Sequence, residues 1–189
     1  MIERLLKRLA QTLEGSRFPY MIIGGQAVLF YGFPRLTQDV DVAHGVDIDA
    51  YPAMIGICRK AGLKVLVAKP QEFIRKTHVL PTQDTRSSFR VDFIFSNTPY
   101  ERQAIQRAHR VRVGQVKVRF AWLEDLFIHK LVAGRPIDIE DVRILWAKHR
   151  KTIDLRYLSR WLKQFGSLGL LSEDPLVTFD RIRRSLSSR

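Results

Sequence analysis

Cysteine is almost absent from this chain of 189 residues, which contains only Cys58. A single thiol excludes an intramolecular disulfide framework and a cysteine-rich zinc site, and it suits a reducing compartment. Because Cys58 stands among apolar residues, we interpret it as a small core residue rather than a nucleophile.

Long apolar runs are missing as well. The longest stretch without a charge, residues 18–34, contains three glycines and two prolines, and it is shorter than the roughly 20 residues of a membrane-spanning helix. The first eight residues already include Glu3, Arg4, Lys7 and Arg8, which break up the apolar stretch of a signal peptide. We therefore expect a cytoplasmic protein without a membrane segment.

Acidic residues are few: 19 Asp and Glu stand against 32 Lys and Arg, so the net charge is +13. Such an excess favours a polyanionic partner, namely a nucleic acid or a nucleotide, and less often an anionic membrane. Solubility alone is the alternative explanation. Hydrophobic residues make up 46% of the chain, which is enough for a sizeable core and argues against disorder.

The pattern of apolar residues changes near residue 121, which predicts an α/β part over 1–121 and a helical part over 122–189. The expected strands are 20–23, 40–42, 64–67, 77–80 and 89–95, with a hairpin over 111–120 around Gly114-Gln115. The expected helices are 2–15, 26–31, 52–61 (capped by Asp49), 99–108, 123–133, 139–148, 155–165 and 174–186.

The stretch from Gly24 to Asp41 carries the chemistry. Gly24 and Gly25 follow a short strand, where glycine allows a tight turn and the close approach of a phosphate. Asp39 and Asp41 point to the same side of a strand because they are two residues apart. Asp92 offers a third carboxylate from another strand, and carboxylates with substrate phosphates are the usual ligands of Mg²⁺. The sequence predicts a site for one or two Mg²⁺ ions and a nucleoside triphosphate.

This pattern resembles the nucleotidyltransferase (DNA polymerase β-like) superfamily: a glycine pair, a short helix, Asp-x-Asp on a strand and a later lone Asp. Gly24, Gly25, Asp39, Asp41 and Asp92 stand at the matching positions. The resemblance implies that the three aspartates bind Mg²⁺ and act in catalysis. It also implies that the glycines hold the triphosphate, and that Asp92 helps bind metal or takes the proton from the attacking hydroxyl.

Two further strings, over residues 32–41 and 125–141, resemble the bacterial branch that contains the AbiEii-type toxins. The whole resemblance covers about residues 20–146. It implies an α+β fold, in which a mixed sheet flanked by helices is followed by a small C-terminal helical part. It also implies that Arg35, Thr37 and Lys130 contact phosphate or substrate.

Some residues of the second string have structural explanations beside functional ones. Asp138 and Asp141 fit a helix N-cap and its third position, and Arg135 fits a bridge between them. Arg135 and Asp141 are kept as further candidates for the site. The five histidines show no metal-ligand spacing, and we expect them at the surface or its boundary.

These residues lead to a nucleotidyltransferase hypothesis: Mg²⁺-dependent transfer of a nucleoside monophosphate from an NTP to a hydroxyl acceptor. The positive charge favours RNA such as tRNA as the acceptor. The resemblance adds a toxin–antitoxin role with an antitoxin protein as partner. Two alternatives remain open: transfer to a small molecule, as in aminoglycoside adenylyltransferases, and a non-catalytic module of the same fold that binds a nucleotide or RNA.

Overall fold

A computed structural model describes residues 1–16 and 18–187. Within these residues the chain forms nine α-helices and seven β-strands. The helices are α1 (Ile2–Ser16), α2 (Gly24–Phe30), α3 (Tyr51–Lys60), α4 (Pro70–Thr77), α5 (Pro99–Arg107), α6 (Leu123–Ala133), α7 (Pro136–His149), α8 (Leu155–Ser167) and α9 (Pro175–Ser187). The strands are β1 (Tyr20–Ile23), β2 (Asp39–His44), β3 (Leu63–Val65), β4 (Val79–Asp84), β5 (Arg90–Phe95), β6 (His109–Val113) and β7 (Val116–Phe120).

The strands form one mixed sheet in the order β3-β4-β5-β2-β1-β7-β6. The pairs β2–β5 and β1–β7 are parallel, and the other neighbours are antiparallel. All four residues of β1 are buried, as expected for a central strand whose side chains are covered on both faces of the sheet. The predicted α+β class with a mixed sheet is confirmed.

The chain divides into two compact units. The first comprises Met1–Gln26 and Leu36–Ala121, and the second comprises Ala27–Arg35 and Trp122–Arg189. The helix α2 therefore begins in the first unit and ends in the second. The segment 27–35 belongs to the same compact unit as the C-terminal helices, and the division into domains at residue 121 stays a prediction.

The first unit buries α1 through five residues at helical spacing: Leu5, Leu6, Leu9, Ala10 and Leu13. The alternation of buried and less buried residues in β2 and β5 gives the sheet a polar side and an apolar side near these strands. Val40, Val42, Val91 and Phe93 are fully buried on the apolar side. The polar side is therefore where charged side chains of β2 and β5 can be placed.

The second unit has its own core, formed by α6 to α9. Phe179 of α9 lies with its ring centroid 5.3 Å from that of Trp146 and 6.2 Å from that of Phe127, both edge to face. Edge-to-face packing suits the charge distribution of aromatic rings. In α8, Asp154 caps the helix by accepting a hydrogen bond from the Tyr157 backbone N–H.

Most predicted elements are found, and the differences have physical causes. The helix α2 starts at Gly24 and not at residue 26, and α4 was not predicted. Asp49 does not cap α3, whose N-cap is Ala50, since residues 48–50 form a separate 3-10 turn. His44 was expected near the surface but is fully buried against the Phe95 ring, at 4.2 Å between centroids. Burial lowers the pKa of His44 to about 3.

The described part of the chain contains no helix that is long and apolar enough to cross a membrane.

Candidate active site

The neighbouring parallel strands β2 and β5 bring three carboxylates to one side of the sheet. Asp41 is directly in register with Asp92, and Asp39 is in register with Arg90. Residues in register on adjacent strands point to the same side, as do residues two apart on one strand. Asp39, Asp41 and Asp92 therefore share a side with Arg90, which was not predicted as a site residue.

The helix α2 begins where the Asp41 side chain lies. Gly24 has a φ of +62°, in the left-handed region that favours glycine. An ideal Cβ at Gly24 would collide with Oδ2 of Asp41. Glycine is therefore required at this position for two reasons, the backbone conformation and the close approach of the carboxylate.

A second contact ties the segment before β2 to the start of α2. An ideal Cβ at Gly25 would lie 2.7 Å from the Thr37 hydroxyl oxygen. That hydroxyl donates to the Asp39 carbonyl at 3.3 Å and accepts from the Asp39 amide at 3.4 Å. The buried Gln26 donates from Nε2 to the same carbonyl at 3.3 Å. The backbone of Asp39 is thus held by side chains on both sides of the turn.

The electrostatics of the site centre on Asp92. Its side chain is 22% exposed, and the Arg90 guanidinium lies 3.5 Å from its Oδ1. That oxygen is buried and has no hydrogen-bond partner within the described residues. Burial raises the pKa of Asp92 above its usual range, and the negative charge of Asp39 raises it further, while Arg90 opposes both effects. The ionised form of Asp92 is therefore only partly compensated.

The residues present fit a divalent cation, although the protein alone does not supply a complete set of ligands. No three His, Cys, Asp or Glu side chains in the described ranges stand close enough together to hold a metal ion. Mg²⁺, however, is usually held by one or two carboxylates together with substrate phosphates and water. The buried, unsatisfied oxygen of Asp92 beside a second carboxylate is the observation that favours a cation there.

The other predicted residues form a separate charge network within the second unit. The Lys130 ammonium donates to Asp138 Oδ1 at 2.9 Å and to Asp141 Oδ2 at 2.7 Å. Arg35 donates to the same oxygen of Asp141 at 2.5 Å, and Arg135 donates from Nε to Asp138 at 2.5 Å. The network anchors the end of the segment 27–35 to α7.

Lys130, Asp138 and Asp141 of this network are buried, so each of them depends on its partners for compensation of its charge. Lys130 is 4% exposed, and the two aspartate side chains are only 2–3% exposed. Burial by itself would raise the pKa of Asp138, but hydrogen bonds from Arg135 and Lys130 outweigh it, and the pKa is lowered. The Lys130 ammonium is thus occupied by two carboxylates, and its contact with phosphate stays a prediction.

Sequence reasoning missed two residues beside the carboxylates. Arg90 and Asp92 are two residues apart on one strand, so the spacing predicts that both point to the same side. The effect of the Arg90 charge on Asp92 was not considered. Gln26 carried no signal, because a glutamine after a glycine pair has no typical spacing to a backbone carbonyl 13 residues later.

The comparisons with known proteins give matches by structure but none by sequence. No protein-family model matches the sequence, and no curated protein matches it. Among solved structures, JHP933 from Helicobacter pylori is similar over 98% of this chain and 92% of its own, with a TM-score of 0.53 at 16% identity.

Two further structures carry a functional name. ANT(2")-Ia, solved in complex with adenylyl-2"-tobramycin, is similar over 87% of this chain and 97% of its own, with a TM-score of 0.56 at 15% identity. An antigenic nucleotidyltransferase-like protein from Paracoccidioides brasiliensis has a TM-score of 0.54 at 20% identity, over 77% of this chain and 75% of its own. The chain therefore has the fold found in nucleotidyltransferases.

Proposed function

We propose that this protein is a nucleotidyltransferase that moves a nucleoside monophosphate from an NTP to a hydroxyl acceptor. The observation that carries the proposal is the register of Asp41 with Asp92 and the position of Asp39 on the same side of the sheet. The left-handed Gly24, which leaves room for the Asp41 carboxylate, supports it. The fold is one that such enzymes use.

In the proposed reaction, the acceptor oxygen forms a bond to the α-phosphorus and the bond to the β-phosphate oxygen breaks, releasing pyrophosphate. Asp39, Asp41 and Asp92 would supply one or two carboxylates to each of one or two Mg²⁺ ions, with the substrate phosphates completing the ligands, and that charge would offset the charge of the triphosphate. Asp92 accepts the proton of the attacking hydroxyl at its carboxylate.

The remaining predicted residues take supporting roles in the proposal. Gly24 and Gly25 let the triphosphate approach the backbone, and Thr37 holds the strand entrance through its bonds to Asp39. Arg35 and Lys130 both bind Asp141, so we assign them first to anchoring the segment that leads into β2. Arg135 and Asp141 belong to the same anchor.

The acceptor is proposed to be RNA, such as tRNA, because the net charge of +13 favours a polyanion. A small-molecule acceptor is the second candidate, since ANT(2")-Ia, which has the same fold, was solved with an adenylylated tobramycin. The resemblance to AbiEii-type toxins adds the proposal that the reaction arrests growth until an antitoxin protein restrains it.

Labelling tests the reaction directly. The protein is incubated with each α-³²P-NTP, Mg²⁺ and either total RNA or a panel of aminoglycosides. We expect label transfer to one acceptor class, its loss with EDTA, and a fall of at least about 100-fold for Asp41→Asn, because the metal that offsets the charge of the triphosphate loses one of its carboxylate ligands. The matched control is Asp49→Asn, which changes an exposed acid outside the site.

Equal transfer by Asp41→Asn and the unaltered protein would refute the assignment. Absence of transfer to either acceptor class, together with NTP binding that does not depend on Mg²⁺, would indicate the non-catalytic module instead.

A further inference from the structure

The hairpin of β6 and β7 places cations directly opposite each other. Arg110 is in register with Arg119, and Arg112 is in register with Lys117, so all four lie on one face of the two-stranded ribbon. Like charges directly opposite on adjacent strands are destabilising. The arrangement therefore costs stability in the free protein, and an anionic ligand would relieve that cost.

Within the described residues, an acidic side chain pairs with one of the four cations of this face. Arg119 is bound by Glu14 of α1, at 2.6 Å and 3.1 Å. Arg110, Arg112 and Lys117 are exposed, and their side chains make no ion pair or hydrogen bond within the described residues. Three of the four cations are therefore available to a ligand.

A second group of cations lines a cleft beside α1. The cleft has a volume of about 680 Å³ and is lined by Arg4, Lys7, Arg8 and Arg86. Arg8 is held by Asp84 and by the Ala61 carbonyl. Arg4 and Arg86 have no acidic partner among residues 1–16 and 18–187.

The helix α1 joins the cleft to the hairpin. Lys7 lines the cleft, and its Nζ lies 2.5 Å from the position of an ideal Cβ on Gly114, the glycine of the hairpin turn. Gln11 lines both this cleft and a second one of about 450 Å³, which Arg110 and Lys117 also line. The cations thus form a continuous surface, which we call the α1–hairpin track, comprising Arg4, Lys7, Arg8, Arg86, Arg110, Arg112 and Lys117.

We propose that the α1–hairpin track binds the phosphodiester backbone of a nucleic-acid strand. The acids that line the two clefts are paired, Asp84 with Arg8 and Glu14 with Arg119, and Glu3 is paired with Lys7. Cations two residues apart on a strand are about 6.8 Å apart, so they address successive charges of an extended chain rather than one compact anion. This proposal rests on the proposed function in one respect: the nucleic-acid strand bound at the track would be the acceptor of the transferred nucleotide.

A nucleic acid fits this surface better than an anionic membrane. Binding at a membrane interface is strengthened by large apolar side chains that insert beside the cations. Of the exposed large hydrophobic side chains in the described residues, Met1 is the only one that lines either cleft. The surface therefore favours a nucleic acid, and the experiment below includes lipid vesicles to exclude binding to a membrane.

The test measures fluorescence anisotropy of a labelled 20-nucleotide single-stranded RNA, and of the DNA of equal sequence, between 50 and 200 mM NaCl. The variant R110Q/R112Q/K117Q is compared with R59Q/R75Q/K76Q, which removes the same charge from exposed positions elsewhere in the first unit. We expect at least tenfold weaker binding for the track variant alone. Its slope of log K against log salt should fall by about 2, since each lost contact to a single strand removes about 0.7.

Three results would overturn the proposal: equal loss of affinity in both triple variants, no binding of either strand by the unaltered protein, or binding of phosphatidylserine vesicles in place of nucleic acid. Thermal unfolding without nucleic acid shows that the variant folds, and its Tm should match or exceed that of the unaltered protein because the opposed cations are gone. Asp41→Asn should bind RNA normally, so a failure of the track and a failure of the proposed reaction are distinguishable.

Discussion

Asp92 illustrates at the scale of one residue how a site can conflict with stability. Its carboxylate is partly buried near another negative charge, and within the part of the chain that the structure describes it is compensated by Arg90, which is itself half exposed. A carboxyl group whose pKa is raised on folding stabilises the fold while it is protonated. That contribution is complete below the unfolded pKa and is lost as the pH rises through the folded value.

Replacing Asp92 with Asn should therefore raise the Tm of the metal-free protein at pH 7 while transferase activity is lost. A gain of 1 kcal/mol corresponds to about 2–4 °C in a protein of this size. Calorimetry at pH 4 and pH 7 measures the effect, and the gain should be larger at pH 7. A lower Tm for Asp92→Asn at pH 7 would show that the ionised group stabilises the fold.

Lys130 presents the opposite case, since two buried carboxylates depend on it. Lys130→Met should lower the free energy of unfolding by about 3–5 kcal/mol, the usual loss when one partner of a buried ion pair is removed. Urea unfolding measures this loss. Lys163→Met, at an exposed position of α8, is the control and should stay within about 0.5 kcal/mol. A loss below 1 kcal/mol for Lys130→Met would mean that the cluster does not stabilise the fold.

Single residues differ in how far the sequence could reveal them. His44 stands two residues after Val42 and four after Val40, so the alternation along β2 indicated a buried side chain. We expected His44 near the surface because histidine is a polar residue. The pairing of Lys130 with Asp141 had no such signal. It depends on how α6 packs against α7, which spacing along the chain does not determine.

At the scale of an element, the start of α2 should be sensitive to one methyl group. Gly24→Ala forces a side chain into a left-handed residue, which costs about 1–2 kcal/mol, and it displaces the Asp41 carboxylate. We expect lower stability and loss of Mg²⁺-dependent NTP binding, measured by urea unfolding and calorimetry.

Gly56→Ala is the matched control for this prediction. Gly56 lies inside α3, and an ideal Cβ there meets nothing within 4 Å. Alanine should stabilise the helix by about 0.5–1 kcal/mol. If Gly24→Ala behaved like Gly56→Ala, the close approach at the site would have no energetic importance.

A comparison of α6 with α4 shows which sequence patterns predict a helix. The helix α6 was predicted with its observed bounds, because apolar residues and a following Gly134 mark it clearly. The helix α4 was missed, because Ile74 is its only buried residue and gives no periodic pattern. Spacing could place Asp39 and Asp41 on one side of a strand, whereas the side on which Asp92 lies required the pairing of β5 with β2, and the approach of Asp41 to Gly24 required the pairing of β1 with β2.

For the whole molecule, the net charge of +13 should destabilise the free protein through mutual repulsion. Raising NaCl from 50 to 300 mM should therefore raise the Tm, because salt screens exposed charges over about 10 Å or less. The variant R59Q/R75Q/K76Q, with three fewer cations, should respond less. A Tm that falls steadily with salt would mean that ion pairs outweigh repulsion.

The position of β1 in the sheet has a consequence for synthesis. One neighbour, β2, follows within about 20 residues, but the other, β7, begins only at Val116. At translation rates of about 5–20 residues per second, the open side of this wholly apolar strand waits roughly 5–20 s for its partner. During that interval the nascent chain exposes a pairing edge, and we expect it to be more prone to aggregation than the completed sheet, because unpaired strand edges promote association of partly folded chains.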